Sequence, residues 1–252
     1  MQDTPPDQLL PLLAEQLKNG TELRTLVAGA ALANARTFGG QDYVGYHTLM
    51  ALAPAWHMSV QLATEQKPLP VFKVLYRNAG RIQEHGGHAS ERLHAVKLDS
   101  SDLDAANGEQ LRDAVRQKNM TLAEQTFAKL AAKSPEQAFN ELLIAVQEES
   151  EVHRIVLPYR AWDLLDIVGR EHAHTLLRQS VRYCVDNESP KYRANCRAGA
   201  DELPKLFDQY KLAGKAPGKK QPDGNWVDSL ARTIFESEPA RAADAVAAAS
   251  AI

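Results

Sequence analysis

Cysteine is nearly absent: Cys184 and Cys196 are the two in 252 residues, too few for a disulfide scaffold or a four-cysteine zinc module. Aromatic residues are scarce at 6%, whereas alanine and leucine are abundant, which favours helix packed on helix over a β-sandwich or barrel. Basic excess is also missing. Lys+Arg number 29 against 32 Asp+Glu, a formal net charge of -3, so nucleic acid is not an expected partner. No run approaches the roughly 18–20 consecutive apolar residues of a membrane span, and no membrane association is expected. The start, Met1-Gln2-Asp3-Thr4-Pro5-Pro6-Asp7, lacks the basic and apolar segments of a signal peptide. A cytoplasmic chain, or a mature form whose leader has been removed, is the expectation. Gly39-Gly40 and Gly86-Gly87 lack the spacing of either phosphate-binding fingerprint, and neither Gly-x-Ser-x-Gly nor His-Glu-x-x-His occurs.

What is present is helical periodicity with start and stop signals. Pro5-Pro6-Asp7 opens a segment carrying Leu9, Leu10, Leu12, Leu13 and Leu17, which Asn19-Gly20 closes. Thr21 is the expected cap of the next helix, whose Leu23, Leu26, Val27, Ala30 and Ala31 recur at helical spacing up to Gly39-Gly40. A longer segment, 43 to about 64, contains Pro54 and is expected to kink there; 69–83 follows, ending at Glu84-His85-Gly86-Gly87-His88. Three capping boxes come next, at Asn107-Gly108-Glu109-Gln110, Thr121-Leu122-Ala123-Glu124 and Ser134-Pro135-Glu136-Gln137. Helices over 151–167 and 170–185 are divided by Gly169, with Ser150 as the expected cap of the first.

The region 186–225, with Pro190, Pro204, Pro217 and Pro222, reads as looser, and its last part, 214–224, as an exposed linker. Residues 225–252 read as C-terminal helices that end without a capping residue. Their narrow stripe Ala242, Ala245, Val246 and Ala249 is expected to face a second chain or a missing continuation of this one. The fold expected is all-α: stacked antiparallel helices, α-solenoid-like or an irregular bundle, with a main domain over 1–213 and a C-terminal piece over 225–252.

Two segments echo each other. His47-Thr48-Leu49-Met50-Ala51-Leu52-Ala53-Pro54-Ala55-Trp56 and His153-Arg154-Ile155-Val156-Leu157-Pro158-Tyr159-Arg160-Ala161-Trp162 each place a histidine near a helix start, an internal proline, and Ala-Trp at the end. The echo suits a duplicated helical hairpin, or two kinks that make room for a ligand. Histidines are the most distinctive residues, eight in all. The positive end of a helix favours neutral imidazole, the form that ligates metals and accepts protons. His85 and His88 end the helix that follows the one begun by His47, so antiparallel packing would bring the three together. His153 is a candidate fourth member. Histidine with carboxylate suits non-haem iron, manganese or zinc, and a single histidine can ligate haem. His172 and His174, two apart, point to different faces, so at most one would line a given site.

The run Val152-His153-Arg154-Ile155-Val156-Leu157-Pro158-Tyr159-Arg160-Ala161, with the preceding 108–146, resembles the helix starts of the questin oxidase-like family. The resemblance covers about 108–185. It implies helical repeats with histidines near helix starts, a site role for His153, and nicotinamide-dependent oxygenation of aromatic polyketides.

The expected function is therefore that of an oxidoreductase acting on a small organic molecule at a histidine-rich site holding a transition metal, iron foremost, or haem. His47, His85, His88 and His153 would bind the metal, with His153 and His47 as acid–base groups, and Tyr46, Trp56, Tyr159 and Trp162 would wall the pocket. The competing expectation is a non-enzymatic helical-repeat module whose concave face binds a protein partner.

Overall fold

Apolar residues spaced three and four apart fold into twelve α-helices, with no β-strand among the described residues of this computed structural model, which are 1–97, 106–214, 216, 218 and 221–251. The chain is all-α. Lys215, Pro217, Lys219 and Lys220 of the expected linker, and Ile252, lie outside the described residues. The helices are α1 (Pro6–Lys18), α2 (Leu23–Phe38), α3 (Tyr43–Val60), α4 (Pro68–Glu84), α5 (Gly108–Arg116), α6 (Met120–Lys133), α7 (Pro135–Val146), α8 (Val152–Val168), α9 (Ala173–Asp186), α10 (Pro190–Tyr210), α11 (Gly224–Glu236) and α12 (Pro239–Ser250). None of them is long and apolar enough to cross a membrane.

Three starts are made by side chains whose positions in the sequence suit a cap. Asp42 accepts from the Gly45 amide, Asn107 from that of Gln110 and Ser134 from that of Gln137, each filling an otherwise orphaned donor of a first turn. Three starts differ from expectation. Thr21 bonds Gln16 and leaves Glu22 at the N-cap of α2. Asn119 caps α6, two residues before Thr121. Glu151, not Ser150, caps α8, accepting from the amides of both His153 and Arg154.

The chain divides into two compact units: Met1–Val146 with Ser150–Glu188, and Gln147–Glu149 with Ser189–Ile252. The boundary therefore falls at 188 rather than 213. The expected loose stretch is largely the 21-residue helix α10, capped by Ser189. Pro190 is harmless there because the first turn needs no amide donors from it, so a residue read as a breaker is a helix starter. In this second unit α12 packs on α10 and α11, and Ala242 and Val246 of the expected stripe line a groove with Leu203 and Phe207 of α10.

In the first unit α2 contacts α3, α4, α8 and α9. Its small buried residues Ala30, Ala31 and Ala35 permit that close approach, while Leu49, Leu52, Leu157, Leu164, Leu176 and Leu177 from its neighbours are fully buried. One polar knot fixes the register of α2, α3 and α4. The Asn34 amide donates to the Gly45 carbonyl (2.7 Å), to Thr48 Oγ1 (3.0 Å) and to Asn78 Oδ1 (2.7 Å), and Asn78 donates to the Ala30 carbonyl. Glycine is required at 45, since a Cβ there would stand 2.5 Å from the Phe38 ring. These contacts hold the first turns of α3, where His47 sits.

Candidate functional site

The two echoing helices, α3 and α8, pack together and bring their histidines into contact. The His47 and His153 rings meet edge to face with centroids 5.0 Å apart. Tyr46 lies against both, at 4.9 Å from His47 and 5.1 Å from His153, and Tyr43 borders both at 4.4 and 5.8 Å. From α9, Tyr183 packs edge-on to Tyr46 at 5.5 Å. Tyr46 and Tyr183 are buried, Tyr43 is exposed, and the histidines are half-buried, so the cluster has a closed floor and an open rim.

Glu151 organises the polar side of the cluster. One of its oxygens receives the amides of His153 (3.0 Å) and Arg154 (2.9 Å) and the hydroxyl of Tyr183 (3.0 Å); the other lies 2.7 Å from His153 Nδ1. Burial alone would raise its pKa, but these donors outweigh it and hold the carboxyl below the usual range. Glu151 is thus ionised at neutral pH. Burial and then the Glu151 charge push the Tyr46 hydroxyl up, and burial with the Glu151 bond pushes Tyr183 up as well, so both phenols stay protonated.

The partners assign the imidazole tautomers. A carboxylate can only accept, so His153 Nδ1 carries a hydrogen and a neutral ring presents Nε2 as its lone pair. His47 Nδ1 faces the Tyr43 carbonyl at 2.6 Å, with the same consequence. Two bases therefore meet in an aromatic setting, each oriented through its other nitrogen.

The remaining expected residues are elsewhere. The end of α4 does approach the start of α3, but Arg81 occupies the meeting point, paired with Asp42 through two bonds of 2.9 and 2.6 Å and with Glu84 at 2.8 Å. The Arg81 guanidinium beside Asp42 holds that carboxyl below its ordinary value. His85 packs edge-on to Phe38 and receives a bond from Arg92, and His88 is exposed beside Glu91. Neither is in ring contact with His47 or His153. The expected walls are corrected by helix geometry. Nine residues at 100° each end half a turn away, so Trp56 and Trp162 point opposite to the histidines of their helices. Trp162 stacks on Phe139 (4.6 Å) under Arg170, and Tyr159 is exposed with Arg160 over its ring. Of the expected walls only Tyr46 is in the cluster; Tyr43, Glu151 and Tyr183 are additions.

No group of three His, Cys, Asp or Glu among the described residues is placed to hold a metal ion. Two Glu-x-x-His patterns, Glu91 to His94 and Glu171 to His174, do not supply one. Glu91 bonds Gln2 and neighbours His88, while Glu171 lies where a side chain at Gly169 would stand. The chain matches no protein-family model, no curated protein and no solved structure.

A second polar place lies on α9. His174 stacks on Phe127 at 6.0 Å, and its Nε2 is buried with no hydrogen-bond partner among the described residues. Burial, then the nearby Arg178 charge, pull its pKa down to about 4, while Glu124 acts in the opposite sense. The unfolded chain binds this proton below about pH 6.5 and the folded chain only below about 4, so stability falls as pH drops through that window. The full loss is about 3 kcal/mol. A His174→Phe variant, which keeps a ring against Phe127, should show a flatter dependence of urea midpoint on pH between 6.5 and 4 than the parent protein. Parallel profiles would contradict a neutral, buried His174.

Proposed function

We propose that the first unit is an enzyme that moves protons on a small aromatic molecule, with His153 as base, Glu151 as the group that orients it, and His47 as the second acid–base residue. The observation that carries this reading is the pair of imidazoles, 5.0 Å apart, with Nδ1 atoms held by Glu151 and the Tyr43 carbonyl, which leaves Nε2 of each for proton transfer. Tyr43, Tyr46 and Tyr183 offer faces and edges for stacking an aromatic ring, and half-buried Glu151 keeps the His153 tautomer fixed while the proton moves at Nε2.

Assignment to the oxidoreductases rests on the resemblance of 108–185 and not on the cluster. Iron or another transition metal would find two histidine nitrogens here and no third protein ligand among the described residues, so the donor set does not fit and no step is routed through a metal. Nor do the paired glycines fit a dinucleotide. Space beside Gly40 is filled by the Gln179 backbone and that beside Gly86 by Ser90, which leaves neither free to approach a phosphate.

Titration of the protein with p-cresol, followed through the imidazole Cε1–H resonances, tests the site. The signals of His47 and His153 should move together along one saturation curve while those of His57, His85 and His88 stay fixed. Movement of the other histidines instead, or of none, would overturn the assignment.

A further inference from the structure

A cavity of about 480 Å³ is bordered by α2, α6, α9 and the non-helical stretch 93–96, and shares no residue with the His47–His153 cluster. We propose that this cavity binds a small organic carboxylate, its charged end held by Arg36 and Arg178 and its apolar body laid on α6. The volume lies within the range of small-molecule sites.

Three observations carry the assignment. First, the cavity has cations with spare capacity. The Arg36 side chain is exposed and makes no hydrogen bond or ion pair among the described residues. Arg178 is 7% exposed and rigidly placed, with Nε on Glu124 at 2.7 Å and Nη1 on the His94 carbonyl at 2.8 Å. Glu124 is shared with Arg182 at 2.8 Å, so one carboxylate faces two guanidiniums. Burial opposes the Glu124 charge, but both arginines hold the carboxyl below its ordinary value, so its single charge is fully committed. Among the described residues that line the cavity, Arg36 and Arg178 meet no Asp or Glu.

Second, the neutral His174 ring borders the same cavity with a buried nitrogen that has no hydrogen-bond partner among the described residues. Leaving such a group unpaired is costly, and a ligand carrying an oxygen can supply the missing bond. Third, the α6 side of the cavity is Ala128, Ala131 and Ala132, and Leu93 also lines it. Alanine on a helix face leaves room beside an apolar surface. That surface gives nothing to inorganic phosphate but contributes for a hydrocarbon-bearing anion, and the partly neutralised guanidiniums suit a single negative charge.

Calorimetric titration with benzoate and hexanoate, and with inorganic phosphate and hexanol as comparisons, tests the proposal independently of the p-cresol experiment. Both carboxylates should bind saturably, hexanol and phosphate should not, and Arg36→Gln should weaken benzoate at least tenfold. Arg36 is exposed, so that variant keeps the fold, which its circular dichroism would verify. His174→Phe should weaken benzoate as well while leaving the p-cresol response of His153 in place. Absence of saturable carboxylate binding, equal benzoate affinity in Arg36→Gln, or phosphate binding as tight as benzoate would each overturn it.

Discussion

An Arg154→Met variant is expected to lose about 3–5 kcal/mol of stability, the cost of breaking a buried ion pair from one side. Arg154 and Glu188 have side chains 1% and 0% exposed, with Nη1 3.3 Å from Oε2, and Nη2 donates to the Ala145 carbonyl at 2.6 Å. Methionine fills much of the space but leaves the Glu188 carboxylate buried without its guanidinium. The double variant Arg154→Met/Glu188→Leu should recover most of the loss, because the pair repays its desolvation only partly. Urea unfolding measures both. A single-variant loss under about 1 kcal/mol would contradict a structural role for the pair. Arg154 follows His153 in the first turn of α8, and both amides are held by Glu151. The buried guanidinium thus anchors the turn that presents the base, and its loss should loosen the site before the unit unfolds.

The relation between α3 and α8 was legible in the sequence because both helices repeat one pattern: histidine in an early turn, proline inside, Ala-Trp at the end. Periodicity and caps placed their boundaries to within a few residues, and both prolines sit inside continuous helices, removing the amide donors that Met50 and Arg154 carbonyls would otherwise receive. What the pattern hid is tertiary. Ser150 and Glu151 are both competent caps, and the choice falls to Glu151, which also receives Tyr183 from α9, thirty-two positions away. Tyr43 was detectable, since it lies four residues before His47 on the same helix face. Convergence of His85 and His88 on His47 failed because Arg81, an unremarked residue on α4, takes the place beside Asp42. Alpha10 was misread because prolines at 190 and 204 count as breakers in a sequence window, yet the first stands in a helix's opening turn.

His174 shows the same division. Two histidines separated by one residue must diverge on a helix or at its start, and they do: His172 lies near Glu171, while His174 turns to Phe127. Nothing local says which of the two carries a ring nitrogen shielded from water. The structure places it on His174, whose ring lies on Phe127 of α6.

The most direct measurement is exchange of the p-cresol ring hydrogens ortho to the hydroxyl for solvent deuterium by a His153→Ala variant, a reaction in which one proton leaves a carbon and one deuteron returns to it. Removal of a positioned base typically costs about 10²–10⁴-fold. The loss is expected in kcat, with KM little changed, because Tyr43, Tyr46 and Tyr183 still stack the ring while the proton acceptor is gone. Glu151→Gln should fall in the same direction, since an amide need not fix the Nδ1–H tautomer that an ionised carboxylate demands. Circular dichroism would verify the fold of each. A kcat for His153→Ala within about threefold of the parent would contradict the account, since it would leave the paired imidazoles without the proton-transfer role that general acid–base catalysis requires.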